Sequence, residues 1–276
     1  MFDTLSRSWS LVKASAAVLR ADKELLWFPV ISSLAAFVVA ASFFVPSLLS
    51  GLFDGGVGPA SFAVGFLFYL CQYFVIFFFN SALVGAAMIR LQGGDPTVAD
   101  GLRIARSRAG AILGYAAIAA VVGLLLRLLE RRSRWLGSLM TRLLGAAWTV
   151  STFLVVPVLV ARDIGPVDAI RESVALLRRS WGENLVGTVG FGLVFGLLTF
   201  AAVLVGVALV VFAAAAVGAG TAVTVAVLAV VGILALTATQ AALAGIYQAA
   251  LYRYAVDGHA PEGFNGVALG NVFRAK

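Results

Sequence analysis

The sequence predicts an all-α, polytopic membrane helix bundle: six transmembrane helices with added cytoplasmic and interfacial amphipathic helices. Three observations carry this. Residues 185–252 contain no Asp, Glu, Lys, Arg or His. A helix needs about 20 apolar residues to cross a bilayer, so this run is long enough to cross twice, and Gly218-Ala219-Gly220 offers the turn between the two crossings. Hydrophobic residues make up 62% of the chain and charged residues 12%, about half the charged share of ordinary soluble domains. Four further apolar runs are each closed by a charged residue or a Gly-rich turn.

Taken in order, residues 1–25 are too mixed in charge for a signal peptide. Phe2, Leu5, Trp9, Val12, Ala16 and Leu19 recur at helical spacing, as in a helix lying on the membrane surface. The spans follow at about 26–49, 62–89, 109–126, 143–161, 185–213 and 221–252, in a single transmembrane domain over residues 1–276. Between the second and third, Asp95 and Pro96 have the character of an N-cap and a first helical residue. Asp163-Ile164-Gly165-Pro166 is a similar turn after the fourth span.

Lysine and arginine set the orientation. With six spans and both termini inside, 15 basic residues lie on the cytoplasmic side and 5 outside. Gly93 and Gly94 then face the cytoplasm, and Gly55 and Gly56 the exterior. The exception is the outer loop after the third span. Its Leu128, Leu129, Trp135, Leu136, Leu139, Met140, Leu143 and Leu144 recur at three- and four-residue steps, opposite Arg127, Glu130, Arg131, Arg134 and Arg142. This pattern predicts an outer-surface amphipathic helix in the membrane plane, with Arg127, Arg131, Arg134 and Arg142 at lipid headgroups. The alternative is a helical extension of the third span.

Spans 2, 4 and 6 end alike, at Arg90, Arg162 and Arg253, each followed by Gly and Asp and then by Pro96, Pro166 or Pro261. Asp3, Leu5, Ser8, Leu11, Val12, Lys13 and Ser15 align with Asp168, Ile170, Ser173, Leu176, Leu177, Arg178 and Ser180. A weaker copy begins at Asp100, Leu102 and Arg103. The repeating unit would be a surface helix, a transmembrane hairpin and an Arg stop, three times over. Convergent boundary chemistry is the other explanation.

The spans hold little chemistry. One Cys and one His exclude an intramolecular disulfide and a Cys-based metal cluster, and no cofactor or metal is expected. No ionisable residue stands in mid-span, which argues against ion coupling and against intramembrane hydrolysis. The polar residues within spans are chiefly Gln72, Asn80, Thr149, Ser151, Thr152, Gln240 and Gln248. Each must find a partner in a medium without water. Gln72, Asn80, Thr152, Gln240 and Gln248, with Pro157 as a kink, are the candidate ligand-binding residues; helix-to-helix glue is the competing role. Span 2 also carries Phe66, Phe68, Tyr69, Tyr73, Phe74, Phe77, Phe78 and Phe79, which either line a path for an apolar molecule or pack against lipid and core. Gly110/Gly114 and Gly192/Gly196 are small-residue spacings suited to close helix crossings.

Several stretches together resemble a known family. They are Ser8-Trp9-x-Leu11-x-Lys13, Asp22-Lys23-Glu24-Leu25-Leu26-x-Phe28-Pro29, Leu126-Arg127-Leu128-Leu129-Glu130-Arg131, Gly145-Ala146-Ala147-Trp148, Thr152-Phe153-x-Val155-Val156-Pro157-Val158, and Leu176-Leu177-Arg178-Arg179-Ser180-Trp181-Gly182-Glu183. This resembles an uncharacterised family of six-span prokaryotic integral membrane proteins, a domain of unknown function. It is more distantly similar to the membrane domain of glycerophosphodiester phosphodiesterases. The resemblance implies the six-span fold and a prokaryotic cytoplasmic membrane, and supplies no activity.

The expected role is non-enzymatic. One reading is a membrane scaffold whose cytoplasmic helices, with Trp9 and Trp181, contact a protein partner. The alternative is a transporter or channel for lipid or a small apolar molecule, and a membrane enzyme is a third. Membrane lipids, anionic headgroups included, are expected partners; nucleic acid is not, despite the net charge of +7.

Overall fold

The computed structural model describes residues 2–49, 58–132, 136–179, 184–259, 261 and 264, with residues 2–8, 60, 130–132, 136–139, 179 and 184–194 as backbone alone. The described residues form helices and turns without strands. In order they are α1 (Phe2–Ala21), a 3₁₀ turn (Lys23–Leu26), α2 (Trp27–Leu49), α3 (Pro59–Arg90), α4 (Val98–Ser107), α5 (Ala109–Arg132), α6 (Leu136–Ser151), α7 (Val155–Ala161), α8 (Pro166–Arg179), α9 (Asn184–Ala216) and α10 (Ala219–Asp257). Six stretches are long and apolar enough to cross a membrane: Lys23–Leu49, Ser61–Arg90, Ala109–Leu129, Met140–Ala161, Phe195–Ala216 and Ala219–Asp257.

Two sets of contacts fit the repeat reading. The second span of each unit lies at the centre, and α3, α7 and α10 all touch one another. Each surface helix rests on the second span of the preceding unit: α4 on α3, α8 on α7, and α1 on α10. That relation is cyclic, because the last unit receives the first surface helix. The densest burial lies toward the ends that carry Arg90, Arg162 and Arg253, where Ala82–Ala87, Leu154–Val160 and Ala249–Tyr252 are largely enclosed. We call this the arginine end.

Close approach there depends on residues without bulk. A Cβ placed on Gly101 would lie 2.5 Å from Phe28 Cζ and 2.6 Å from the Ala82 carbonyl oxygen, so α4 sits on α3 at backbone distance. Gly114 meets Pro166 in the same way, while Gly110 and Gly196 face open space. The pair Gly110/Gly114 therefore splits between α8 packing and no contact, and Gly192 lies outside the described side chains.

Three sequence expectations change. Helix α1 packs on α9 and α10 instead of lying free on the surface, and it buries Leu11, Val12, Ser15, Val18 and Leu19 while Trp9 stays half exposed. The buried stripe is rotated from the expected one because Ser15 is small enough to enter the core. The N-cap of α4 is Thr97 and not Asp95: Thr97 Oγ1 accepts from the Asp100 amide at 3.2 Å, and the Asp100 carboxylate accepts from the Thr97 amide at 3.0 Å. A reciprocal box satisfies two free amides where a single Asp cap would satisfy one. Glu24 adds a third bond, its Oε2 accepting from the Val98 amide at 3.0 Å. Lastly, the segment expected to be one outer amphipathic helix falls on two of the described helices. Residues up to Arg132 extend α5, and Leu136 begins α6, so two helices share the segment expected to be one. The alternative, a helical extension of the third span, describes its first part.

Span 4 is also divided. The stretch 152–154 is a turn between α6 and α7. Pro157 lacks the N–H that would bond the Phe153 carbonyl, and the freed groups around it need partners. Ser173 on α8 supplies two bonds. Its hydroxyl donates to the Ser151 carbonyl at 2.8 Å and accepts from the Leu154 amide at 3.2 Å. Ser173 is fully buried. A kink at Pro157 was legible in the sequence; that a surface helix holds it open was not.

Candidate ligand-binding site

The polar residues of the spans include some bonded within the protein, some that line a cavity, and Gln72, which does neither. Thr149 and Thr152 donate to carbonyls of their own helix, Gly145 at 2.9 Å and Trp148 at 2.8 Å. Gln240 accepts from Thr199 at 3.3 Å, joining α9 to α10. These are the glue contacts weighed above. Gln72 has a buried Oε1 with no partner among the described residues and does not line the cavity. Thr152, Pro157 and Gln240 do not line it either.

Asn80 and Gln248 do. A cavity of about 260 Å³ opens between α2, α3 and α10. Helix α2 contributes Phe28, Pro29 and Ser32. Helix α3 contributes Ile76, Phe79, Asn80 and Leu83, four residues that share one helical face by their spacing. Helix α10 contributes Ala241, Ala244, Gly245 and Gln248 by the same periodicity. The floor is tight: a Cβ on Gly245 would come within 2.5 Å of Leu83 Cδ2 and 3.5 Å of Asn80 Oδ1. Gly245 thus brings α10 close enough for Asn80 and Gln248 to share one space.

The lining is apolar except for Ser32 and the two carboxamides, and no ionisable side chain takes part. Gln248 Oε1 is buried and has no partner among the described residues. A buried acceptor left unpaired costs about 1–3 kcal/mol, so Gln248 gains by turning its carboxamide oxygen toward a donor in the cavity. Gln248 stands five residues before Arg253 and Asn80 ten before Arg90; at 1.5 Å per residue the polar groups lie roughly 7 and 15 Å below the arginine end. Ser32 and Gly245 were missed in the sequence, because a Ser in an apolar helix and a Gly among alanines carry no spacing signal.

The aromatic residues of α3 mainly stack on one another. Tyr69, Tyr73 and Phe77 form a ladder with centroid separations of 6.1 and 5.7 Å, and Phe77 continues to Tyr115 on α5 at 4.5 Å. Only Phe79 of the aromatic set borders the cavity. The Arg127 guanidinium lies 4.7 Å from the centre of the Tyr69 ring, a cation–π contact. Arg142 is exposed. Arg131 is described as backbone alone, and Arg134 lies outside the described residues, as do Gly55 and Gly56.

The arginines that end the second spans are paired. Arg90 reaches the Gly94 carbonyl at 3.3 Å and Asp95 at 3.8 Å, Arg162 pairs with Glu172 at 3.1 Å, and Arg253 with Asp257 at 2.8 Å. Arg108 pairs with Asp163. Beside them, Asp22 caps the 3₁₀ turn leading into α2, its Oδ1 accepting from the Glu24 amide at 3.1 Å. Its Oδ2 is buried without a partner among the described residues. Burial holds this carboxyl above the usual carboxylate range, against the pull of the Glu24 amide and Arg90.

Comparison with curated proteins finds no match. The family model that matches spans residues 59–264, from the start of α3 to beyond the end of α10, and so includes two of the three walls of the cavity. The likeness to the membrane domain of glycerophosphodiester phosphodiesterases is not part of that match. By this coverage the chain belongs to DUF6159, a family of unknown function.

Proposed function

We propose that the chain is a membrane binding protein for a small, neutral amphiphile, held between α2, α3 and α10 and passed to or from the bilayer. The observation that carries this is the pair of carboxamides, Asn80 and Gln248, that line an otherwise apolar cavity. Binding sites of this kind combine apolar walls with a few placed polar groups. With no charge in the lining, an anionic headgroup has no counter-ion inside it, so the ligand is uncharged where it is enclosed. This favours the lipid or apolar-molecule reading over the scaffold. The chain then sits in a prokaryotic cytoplasmic membrane with the arginine end and both termini inside, as its 15-to-5 basic partition supports. Arg127 and Arg142, at the opposite end, are the residues proposed to contact headgroups.

The test is purification in native lipid followed by mass spectrometry of retained molecules. The expected result is one class of neutral amphiphile at up to one per chain, lost from Ala244→Leu, which fills the cavity. Equal retention by Ala244→Leu, or no ligand in either protein, would overturn the reading. A stoichiometric protein partner with no small molecule would restore the scaffold.

A further inference from the structure

The protein supplies its own guide to what fits this cavity, and the guide rests on the binding reading above. Asn80 stands ten residues before Arg90, the arginine that ends its span, and Thr152 stands ten before Arg162. On the repeat reading these are corresponding positions, each at the first span of its own unit and the second span of the unit before. The two corners are filled differently. At Thr152 the space is taken by Tyr115 from α5. Its ring lies on Phe77 of α3 at 4.5 Å, it is only 3% exposed, and its hydroxyl lies near Thr152. At Asn80 the first span is α2, which brings Ser32 to this depth and Phe28 about one turn nearer the arginine end, and the cavity opens there. The third corner has Leu243 at the same distance from Arg253, with no polar group to satisfy.

We infer that the cavity beside Asn80 takes a neutral hydroxylated ring, a phenol-class compound or the phenol-like head of a larger apolar molecule, in the place that Tyr115 fills in the neighbouring unit. Size agrees. A cavity of about 150 Å³ holds benzene, and 260 Å³ has room for a ring with a substituent. Chemistry agrees too, since a hydroxyl donates one hydrogen bond to a carboxamide oxygen and accepts another from a carboxamide N–H. Asn80 and Gln248 offer both functions, which suits a ligand held without a covalent tether.

The probe is 4-methylphenol, the tyrosine side chain itself, with toluene as the ring lacking the hydroxyl. Both are titrated into the full chain in lipid nanodiscs, and affinity is read from the rise in melting temperature. We expect 4-methylphenol to bind roughly tenfold more tightly than toluene, the discrimination one satisfied hydrogen bond gives. Ala244→Leu should abolish binding of both, and the double change Asn80→Leu with Gln248→Leu should abolish only the preference. Tyr115→Ala opens the second corner, and 4-methylphenol should restore part of the melting temperature it loses. Equal binding of the two probes would overturn the hydroxylated ring. So would rescue of Tyr115→Ala without any binding to the unaltered protein, because the two corners would then not correspond. Failure of both probes alongside an acyl lipid that Ala244→Leu displaces would reject this inference and leave the binding reading standing.

Discussion

Helix α10 has two halves of similar apolar content and opposite fate. From Thr221 to Thr237 no residue is fully buried: Val223, Leu228 and Val231 are 64, 66 and 56% exposed. From Ala242 to Tyr252 almost every residue is enclosed, and Ala242, Ile246, Ala249, Ala250 and Leu251 have no exposed surface. Hydrophobicity does not separate the halves, because lipid tails are as apolar as a leucine side chain and give helices no hydrophobic reason to associate. Residue size does. The first half is rich in Val and Leu, whereas the second places Ala and Gly where α3 approaches and reserves bulk for Ile246, Tyr247 and Tyr252. In a bilayer, small residues mark the packed face.

The sharpest way to break this contrast is to add bulk to the packed half. Gly245→Leu drives a side chain into Leu83 at 2.5 Å, and overpacking of this kind costs about 1–3 kcal/mol and more where backbone must move. Unfolding in detergent should show the largest loss of the set, with α10 displaced from α3; an unchanged melting temperature would mean that the close crossing is absent.

Ser173→Ala comes next. It leaves the Ser151 carbonyl and the Leu154 amide without their buried partner, a loss of about 1–3 kcal/mol. Hydrogen exchange should rise first at Leu154 and along α8, the helix that holds the break. Ser173→Cys, a weaker donor and acceptor, should fall between the two; a Cys variant as stable as the parent would show that volume and not hydrogen bonding matters there.

Asp22→Asn has a smaller effect whose sign depends on pH. Burial raises the folded pKa of Asp22 above its ordinary 3.8, so the folded state binds more protons between the two values. The contribution of the protonated carboxyl is fully present below 3.8 and is lost as pH rises through the folded pKa. The substituted carboxamide keeps an acceptor for the Glu24 amide but carries no charge. Melting curves of parent and variant should coincide at pH values below the ordinary carboxylate range and separate toward neutral pH, with the Asp22→Asn variant the more stable; the opposite order would mean that attraction to Arg90 outweighs burial.

On the exposed half, Leu228→Ala should change stability by less than about 0.5 kcal/mol, the usual range for surface positions. A loss comparable to Gly245→Leu would mean that another protein surface, and not lipid, covers this face.

The cavity was half legible. Asn80 and Gln248 stand out because an amide inside an apolar span must be satisfied, but Gln72, Thr152 and Gln240 carry the same signal. Gln240 turns out to be bonded across to Thr199 and Thr152 to its own helix. No periodicity distinguishes an amide bonded to a neighbour from one facing a cavity, since the difference lies in which helix stands opposite. The Arg127–Leu144 pattern shows the converse: its period is helical, yet it divides into the end of α5 and the start of α6, because an apolar stripe serves equally for packing one helix on another and for lying on a bilayer.

Six segments long enough to cross a membrane, and the recurrence of a surface helix, a hairpin and an arginine, were written in the order of residues. These follow from local quantities: the length of an apolar run, the cost of burying charge, and the turn chemistry of Gly, Asp and Pro. The packed molecule alone reveals that each surface helix rests on the preceding unit, that Ser173 holds span 4 apart, and that one corner is filled by Tyr115 while its counterpart is open. Those outcomes depend on which side chains meet across helices far apart in the chain, and that is fixed by steric fit among small residues, not by the hydrophobic pattern that places the helices in the bilayer.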